Sequence, residues 1–457
     1  METEFKTVNP ATGRTEKEFP SADDAVVEET LAASSAAYEA WRETPIEERA
    51  RPMVRAAELM EERVSELAPL LTLEMGKLPQ EAEAEVQLCA RILRYYGEEG
   101  PRLLKDETLS PASGGEAVVK HEPIGPLVGV MPWNFPYYQV VRIAAPNLVA
   151  GNTVIIKHAA SCPQSALAIS AIFQEAGLPD GCYRNIFAQN DQVAAMIADE
   201  RVSGASLTGS EGAGSAVAST AGEHLKKFVL ELGGDDPFVV LDTSDMESTV
   251  GSAVAGRMTN AGQSCIASKR MIVMEDHYDD FVRRLTEQMA GFTMGDPFDE
   301  ATDLPPLSSE TAAQSLMEQV DDAVAKGATV HTGGGRPDGP GAFVEATVLT
   351  DVTPDMRAYS EELFGPVAVV CKVADEEEAV ALANDSSFGL GGTVISDDVA
   401  RAQRVADRID TGMVWINHTT WTEPDLPFGG TKRSGVGREL GEDGILEFVN
   451  RKLVRTP

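Results

Sequence analysis

The chain has 457 residues, enough for two or three domains with large hydrophobic cores. Its hydrophobic content of 43% is ordinary for a globular protein and excludes an intrinsically disordered chain. The 73 acidic residues outnumber the 38 basic ones, and the resulting net charge of −35 argues against nucleic-acid binding because it repels phosphate backbones.

The acid excess also bears on the medium in which the protein works. Only 13 lysines accompany 25 arginines. Many carboxylates with few lysines are typical of proteins from salt-loving organisms, in which concentrated cations screen the repulsion between surface charges. We therefore predict a halophilic protein; the alternative is an acidic surface with no salt requirement.

The five cysteines are odd in number, widely spaced and free of C-x-x-C pairs, so neither a disulfide framework nor a zinc site is predicted. The six histidines form no H-E-x-x-H pattern, and we predict no metal. Residues 1–4 do not resemble a signal peptide, and four prolines interrupt the uncharged stretch 123–141. These features predict a soluble, cytoplasmic protein with no membrane partner.

The first hundred residues have helical periodicity, over 25–42, 46–73 and 80–97. From Gly151 onward, strands and helices alternate, which predicts parallel sheets with helical crossovers, in two α/β units joined near residue 233. A glycine-rich stretch, 331–341, is expected to be a surface loop. The predicted strands are 152–157, 202–208, 228–230, 238–241 and 270–274, and the helices are 163–176, 211–221, 246–258 and 278–289.

Cys265 follows a segment of small and polar residues, 260–264. A lone cysteine is more often a small buried hydrophobic residue than a nucleophile. A reactive thiolate, however, needs an accessible and electropositive setting, and small neighbours leave space for a substrate. This local sequence makes Cys265 a candidate nucleophile.

Two further polar residues are candidates for supporting roles. Glu231 ends an apolar strand, where burial raises the pKa of a carboxyl toward that of a general base; the alternative is a salt-bridged surface acid. Asn134 can donate its side-chain amide to an oxyanion, although its neighbours also suit a turn residue. The loop 208–214 joins a strand to a helix and can face a pyrophosphate, which alone is a weak indication.

Five segments resemble motifs of the aldehyde dehydrogenase family and occur in that family's order. The resemblance implies an α/β fold with two parallel-sheet domains plus a small oligomerisation strand segment, in a homodimer or homotetramer. It places the dinucleotide-binding domain at 1–104 and 124–231, the catalytic domain at 232–430, and the oligomerisation segment at 105–123 and 440–457. The five segments are Pro132–Pro136, Leu230–Gly234, Gly262–Cys265, Glu361–Val367 and Pro427–Glu439.

The resemblance also implies a catalytic role for each candidate. Cys265 would attack the aldehyde, and Asn134 would stabilise the oxyanion together with the backbone N–H of Cys265. Glu231 would activate the water that hydrolyses the thioester. Relatives that pass the acyl group to coenzyme A commonly lack this base, so its presence favours release of a free acid.

By the same resemblance, Lys157 would reach the adenosine ribose, Ser210 the pyrophosphate, Glu362 the nicotinamide ribose and Phe364 the nicotinamide ring. Members that prefer NAD often carry a Glu three residues after the lysine, where this chain has Ala160. Because no carboxylate there repels a 2′-phosphate, we expect NADP or NAD as cofactor. The full predicted cofactor set is Trp133, Lys157, Gly209, Ser210, Leu232, Glu362 and Phe364.

The sequence most resembles the succinate-semialdehyde dehydrogenase group of the family. A substrate carboxylate needs a cation, ideally an arginine. Arg142 matches one arginine that some relatives use, although a structural ion pair is an equal alternative, and the position of the second arginine holds Thr259. Trp421 is a candidate for the tunnel wall. We predict oxidation of succinate semialdehyde; the alternatives are another small or neutral aldehyde, or a non-catalytic protein that retains the fold.

Overall fold

The structure is a computed structural model that describes residues 4–457. Within these residues the strands form one six-stranded sheet, one seven-stranded sheet, a three-stranded sheet and two strand pairs. The two large sheets are mostly parallel and have helical crossovers, as the alternation of strands and helices predicts.

A hairpin and four helices precede the first large sheet. They are β1 (Phe5–Asn9), β2 (Arg14–Phe19), α1 (Asp24–Trp41), α2 (Ile46–Glu62), α3 (Val64–Met75) and α4 (Pro79–Leu103). The prediction of one helical run over 46–73 is wrong, because α2 ends before Arg63 and α3 begins after it. Arg63 leaves the helical region, at φ −117° and ψ 23°, and its N–H still bonds the carbonyls of Leu59 and Met60. Neither a proline nor a glycine marks this break.

The six-stranded sheet has the order β19-β9-β8-β5-β6-β7, and all its neighbours are parallel except β19 and β9. Its strands are β5 (Pro126–Met131), β6 (Thr153–His158), β7 (Tyr183–Asn185), β8 (Gly204–Thr208), β9 (Lys227–Glu231) and β19 (Gly435–Val436). The connecting helices are α5 (Tyr138–Ala150), α6 (Pro163–Glu175), α7 (Asn190–Ala198) and α8 (Glu211–Glu223).

The seven-stranded sheet has the order β12-β13-β14-β11-β10-β16-β17, with β12 antiparallel to its neighbour. Its strands are β10 (Asp236–Val240), β11 (Ser268–Met274), β12 (Thr329–Thr332), β13 (Thr347–Thr350), β14 (Val367–Val373), β16 (Thr393–Ile395) and β17 (Trp415–Ile416). Its helices are α9 (Met246–Met258), α10 (Glu275–Ala290), α11 (Glu310–Ala325), α12 (Arg357–Ser360), α13 (Glu376–Asn384) and α14 (Val399–Ala406). The predicted loop 331–341 therefore begins inside β12.

The smallest of the three larger sheets is antiparallel and joins a middle segment to the end of the chain. It contains β3 (Glu107–Leu109), β4 (Glu116–Pro123) and β20 (Val449–Thr456) in the order β20-β4-β3. A pair formed by β15 (Phe388–Gly389) and β18 (Thr431–Lys432), and helix α15 (Gly441–Leu446), complete the described elements. The domain boundaries stay a prediction. Strand β19 belongs to the six-stranded sheet but lies outside the predicted dinucleotide-binding domain, 1–104 and 124–231, which contains the other five strands.

The central strands of the large sheets are continuous apolar segments because both faces of each sheet are buried. Residues 127–129 of β5 and 154–156 of β6 are fully buried, which suits a central parallel sheet. In such a sheet the crevice beyond the carboxyl ends of the strands is where ligands bind. Asn134 follows β5 and Glu231 ends β9, so both lie at this edge.

Among residues 4–457, no helix is long and apolar enough to cross a bilayer. The same residues contain no cluster of three or more His, Cys, Asp or Glu side chains that could hold a metal ion.

Candidate active site

Cys265 lies between two cavities and lines both of them. The first cavity has mostly apolar walls and includes Trp421. The second cavity lies at the start of α8 and includes Ser210. Burial raises the pKa of the Cys265 thiol to about 12, while Arg142 and Lys269 act in the opposite direction. Residues of the first cavity include Phe135, Tyr138, Gln139, Thr420, Trp421 and Phe428. Those of the second include Trp133, Asn134, Ser210, Leu232, Glu362 and Phe364.

A strained turn holds the segment before Cys265. Asn260, Ala261 and Gly262 have φ values of 58°, 52° and 73°, in the left-handed region that costs energy for residues with a Cβ. The Glu81 carboxylate accepts a hydrogen bond of 2.7 Å from the Asn260 N–H. The Asn260 side-chain amide donates to the carbonyls of Asn134 and Gln263 at 3.0 and 3.1 Å. This turn therefore joins the cysteine segment to the loop of Asn134.

Asn134 is buried and lines the second cavity beside Cys265. Its Nδ2 donates to the Gln263 carbonyl at 3.2 Å. An amide nitrogen carries two hydrogens, so one donor is left for a ligand next to the thiol. The structure thus brings Asn134 and Cys265 together, as the family motifs imply.

Glu231 is buried, and neither of its carboxylate oxygens has a hydrogen-bond partner in the part of the chain that the structure describes. Desolvation raises its pKa well above the usual value; Arg142 lowers it, and the nearby Glu439 carboxylate raises it further. A buried carboxyl that has a raised pKa and no partner is suited to accept a proton. The alternative of a salt-bridged surface acid does not match this burial.

The geometry of Arg142 favours the structural alternative. Its buried guanidinium forms an ion pair with Glu439 and donates to Tyr138 Oη at 3.3 Å and Thr208 Oγ1 at 3.1 Å. The guanidinium carbon also lies 4.6 Å from the centre of the Phe428 ring. Arg142 does not line the first cavity, because Tyr138 and Phe428 lie on its walls.

Other candidate substrate residues do reach the first cavity. Trp421, 42% exposed, lines it, and so does Thr259, whose hydroxyl donates to the Ala255 carbonyl at 2.8 Å. No charged side chain of the described residues lines this cavity. The Gln139 Oε1 and Thr420 Oγ1 atoms are buried there with no hydrogen-bond partner in residues 4–457.

The second cavity collects six of the seven predicted cofactor residues, all except Lys157. The Trp133 and Phe364 rings meet edge to face at 5.7 Å. Ser210 caps α8 by accepting from the Ala213 N–H at 3.4 Å, so the positive end of the helix dipole faces the cavity. Glu362 accepts from the Gly234 N–H at 3.0 Å, and burial raises the pKa of its carboxyl.

Lys157 lies apart from these residues, near the end of β6. Its ammonium is 5.9 Å from the centre of the Phe5 ring, and burial lowers its pKa. Lys157 does not line the second cavity, so its contact with the adenosine ribose stays a prediction. Ala160, three residues further on, brings no carboxylate to this region.

Sequence analysis missed three residues that hold the site together. Glu81 bonds the strained turn, Glu439 pairs with Arg142, and Lys269 contacts the cysteine segment. Glu439 belongs to one of the family motifs, which marks it as a candidate. Glu81 and Lys269 belong to no pattern that indicates a role, because their contacts depend on the tertiary fold.

Comparison of the sequence with models of known protein families agrees with the arrangement of Cys265, Asn134 and the second-cavity residues. The model described as "Aldehyde dehydrogenase family" matches residues 1–454. The chain belongs to the aldehyde dehydrogenase family. This confirms the family and the fold class that the five motifs predict.

Aldehyde dehydrogenases of known name and structure are similar over nearly the whole chain. The succinate-semialdehyde dehydrogenase (NADP(+)) of Deinococcus radiodurans is 60% identical over 451 residues, 99% of this chain and 94% of that protein. The one from Mycobacterium avium is 46% identical over 98% of this chain and 96% of that protein. The crystal structure of succinic semialdehyde dehydrogenase from Streptococcus pyogenes in complex with NADP+ is 41% identical, with TM-score 0.97, over 99% of this chain and 100% of that one.

Proposed function

We propose that the chain oxidises succinate semialdehyde to succinate with NADP+ as cofactor, and with NAD+ as a second acceptor. The observation that carries this proposal is the Cys265 thiol, which lines two cavities at once, with Asn134 beside it. Relatives named as NADP+-dependent succinate-semialdehyde dehydrogenases, up to 60% identical, support the choice of substrate and cofactor.

The first half of the reaction uses Cys265 and Asn134. The sulfur attacks the carbonyl carbon of the aldehyde from the first cavity, and the thiol proton is released. The developing oxyanion accepts hydrogen bonds from Asn134 Nδ2 and the backbone N–H of Cys265; one such donor contributes about 2.7–4 kcal/mol to transition-state stabilisation. A dinucleotide held in the second cavity by Ser210, Glu362 and Phe364 would accept the hydrogen of the aldehyde carbon with both electrons of its C–H bond, as a hydride.

The second half of the reaction needs a base. Glu231 accepts a proton from water, the resulting hydroxide attacks the thioester carbonyl, and the C–S bond breaks to release the acid and the thiolate. The proton on Glu231 then returns to the thiolate, through solvent, and restores the thiol and the carboxylate. Because burial raises the pKa of the Glu231 carboxyl, its basicity is better matched to this transfer than that of an exposed carboxylate. The balance is aldehyde, water and oxidised cofactor giving acid, reduced cofactor and a proton.

The substrate carboxylate would meet uncharged groups in the first cavity. The Thr420 hydroxyl has no hydrogen-bond partner within residues 4–457 and can donate to a carboxylate, whereas the unpartnered Gln139 Oε1 only accepts; Trp421 would form part of the wall. Arg142 would not contact the substrate. Its Nη1 would donate to Tyr138 Oη and so hold the Tyr138 ring in the cavity wall. The absence of a charged group among the described lining residues favours a small neutral aldehyde as the second candidate substrate.

The cofactor proposal rests on the second cavity. The start of α8 with Gly209 and Ser210 fits a pyrophosphate, Glu362 fits ribose hydroxyls, and Trp133, Leu232 and Phe364 give the apolar walls for a nicotinamide ring. Lys157 would reach the adenosine ribose. Ala160 would leave space for a 2′-phosphate without repulsion, and this favours NADP+.

We also propose a homodimer or homotetramer that uses the sheet β3-β4-β20. Leu109, Leu453 and Val454 on this sheet are 39%, 60% and 38% exposed, and they would be covered by a second copy. Sedimentation of Leu453→Asp tests the interface; an unchanged oligomer would contradict it.

The five cysteines are free thiols, which suits the cytoplasm, and the net charge of −35 suits concentrated salt.

The test of the activity is formation of reduced nicotinamide, followed by its absorbance, with succinate semialdehyde and a panel of neutral aldehydes. We expect the highest kcat/KM with succinate semialdehyde and NADP+, and no turnover by Cys265→Ser. Cys371→Ser is the matched control, because Cys371 lies in β14 outside both cavities. A neutral aldehyde with a higher kcat/KM would select the second candidate, and no product with any aldehyde would refute the catalytic proposal.

A further inference from the structure

Lys269, four residues after Cys265, is buried, with 1% of its surface exposed. Its ammonium donates to the backbone carbonyls of Ser264 at 3.1 Å, Cys265 at 2.9 Å and Ala267 at 3.3 Å. Carbonyls that point at one cation are fixed in direction, and the segment that carries the thiol is therefore held from behind by a single side chain.

The same ammonium also reaches the wall of the second cavity. It lies 3.3 Å from Oε1 of Glu362, and that oxygen accepts the Gly234 N–H at 3.0 Å. Gly234 is in turn packed on the cysteine segment, since a Cβ at this glycine would lie 2.3 Å from the Cys265 carbonyl oxygen. One cation thus contacts both the segment of the nucleophile and the carboxylate that lines the second cavity.

The charges around this contact are mixed. Lys269 faces Glu362 and also the buried carboxyls of Asp235 and Asp236 at the start of β10, and it lowers the pKa of all three. Arg257 acts on the same three acids, and Arg270 acts on Asp235. Cys265 faces Lys269 and Arg142, which favour the thiolate, and Glu362 and Glu231, which oppose it.

We propose that Lys269 is a positioning residue that couples the Cys265 thiol to the Glu362 carboxylate. Through the Lys269 ammonium, a change in the charge or position of Glu362 alters the reactivity of the thiol, and a change in the thiol segment alters the position of Glu362. The free energy of such coupling is the same in both directions. That Glu362 holds the cofactor rests on the proposed function, but the contact between Lys269 and the cysteine segment does not.

The first experiment needs no cofactor and no aldehyde. The rate of Cys265 alkylation by iodoacetamide is measured against pH for the natural chain, Lys269→Met, Glu362→Gln and the double variant, with the modified residue identified by mass spectrometry. We expect Lys269→Met to slow alkylation about tenfold near neutral pH and to move the profile to higher pH, because a cation that favours the thiolate is lost. Glu362→Gln is expected to speed alkylation.

The double variant distinguishes coupling from two separate effects. If the ammonium carries the influence of Glu362, then Glu362→Gln has less effect in the Lys269→Met background than in the natural chain. The same cycle is then run on NADPH affinity, measured by fluorescence titration, where the two single losses are also expected to be less than additive. Additive effects in both cycles, or an unchanged alkylation profile in Lys269→Met, would overturn the proposal.

Lys226→Met is the control, since Lys226 is a partly buried lysine that also donates to a backbone carbonyl, that of Asp199, but lines neither cavity. It is expected to lower the melting temperature while leaving the pH profile of alkylation in place; the same profile shift in this control would overturn the proposal. If Lys269→Met does not fold, the same cycle is run with Lys269→Gln, whose side chain can still donate to a carbonyl but carries no charge. Absence of aldehyde oxidation by the natural chain would refute the proposed function and leave the alkylation result standing.

Discussion

At the scale of single residues, the proposed base Glu231 and the nearby cation Arg142 do not form an ion pair with each other. Arg142 forms its ion pair with Glu439, and the oxygens of Glu231 remain without a hydrogen-bond partner in the described residues. Burial without a partner raises the pKa of the Glu231 carboxyl, because the charged form is poorly solvated. A tight Arg142–Glu231 pair would instead have lowered that pKa and weakened the base.

We expect Glu231→Gln to slow steady-state turnover by about 10²–10⁴-fold, the usual contribution of a general base. Since Cys265 can still form the thioester, a rapid burst of reduced cofactor on mixing should remain, at about one equivalent per active site. Stopped-flow absorbance measures both quantities. Glu223→Gln, an exposed acid at the end of α8, is the control and should retain normal turnover; loss of the burst in Glu231→Gln would place the residue in an earlier step.

The pH dependence tests the charge balance around Glu231. Its carboxyl must be ionised to act, and its pKa is raised, so turnover should increase with pH through that pKa. Glu439→Gln removes a charge that raises this pKa and frees the positive charge of Arg142 to act on Glu231, and both effects lower it. The rising limb of kcat against pH should therefore move to lower pH. The exposed Glu442→Gln should leave the limb in place, and an unmoved limb in Glu439→Gln would show that Glu231 does not limit turnover.

At the scale of elements, the turn Thr259–Gly262 between α9 and Cys265 stores backbone strain. Three successive residues in the left-handed region are tolerated there because the Glu81 carboxylate and the Asn260 side chain satisfy the local polar groups. Strain of this kind fixes the direction in which the following residues leave the turn. The position of the thiol thus depends on contacts made by α4, far away in sequence.

We predict that Gly262→Ala lowers both stability and activity. Gly262 has a φ of 73°, which costs about 1–2 kcal/mol for a residue with a Cβ, and the new Cβ would lie 2.3 Å from the Gly365 carbonyl oxygen. Displacing Gly365 disturbs the motif that carries Glu362. Thermal unfolding and kcat/KM measure the two effects. Gly251→Ala in α9, where nothing lies within 4 Å, is the control and should instead stabilise the helix by about 0.5–1 kcal/mol.

Much of this architecture could be predicted from the sequence. The alternation from residue 151 onward gave the parallel sheets, and α9 was predicted with its observed bounds, because apolar runs and capping residues are local features. The break at Arg63 could not be predicted, since no proline or glycine causes it. The motifs predicted that Cys265, Asn134 and the second-cavity residues lie together. The position of Arg142 behind Tyr138, and the contacts of Lys269, depend on long-range packing that a linear pattern does not encode.

At the scale of the whole molecule, the net charge of −35 is the dominant physical property. Like charges on a compact surface repel one another, and this repulsion opposes both folding and association of identical copies. Added salt reduces the screening length from about 10 Å at 0.1 M to about 3 Å at 1 M, so the repulsion between exposed carboxylates becomes short-ranged. Buried pairs such as Arg142–Glu439 are shielded from this effect.

We expect the melting temperature and the activity to increase with KCl from dilute buffer to multimolar concentration. Reduced repulsion stabilises the folded chain, and the gain should be steepest at low salt, where screening changes most. Differential scanning fluorimetry and initial rates measure it. Sucrose at matched osmolality is the control for solute exclusion, and equal melting temperatures in dilute buffer and concentrated KCl would contradict a halophilic character.

The thiol that forms a common wall of two cavities has a consequence for inhibitor design. A reagent that enters from the side of Trp421 would meet the sulfur without crossing the second cavity, and a mimic of the proposed nicotinamide ring would enter from the side of Phe364. A single compound with an aldehyde-like warhead between two arms would fill both spaces and form a reversible bond to sulfur at its midpoint. Because the described walls of the first cavity lack charge while the second cavity carries Glu362, the two arms would need different chemistry: one neutral and aromatic, the other rich in hydroxyls.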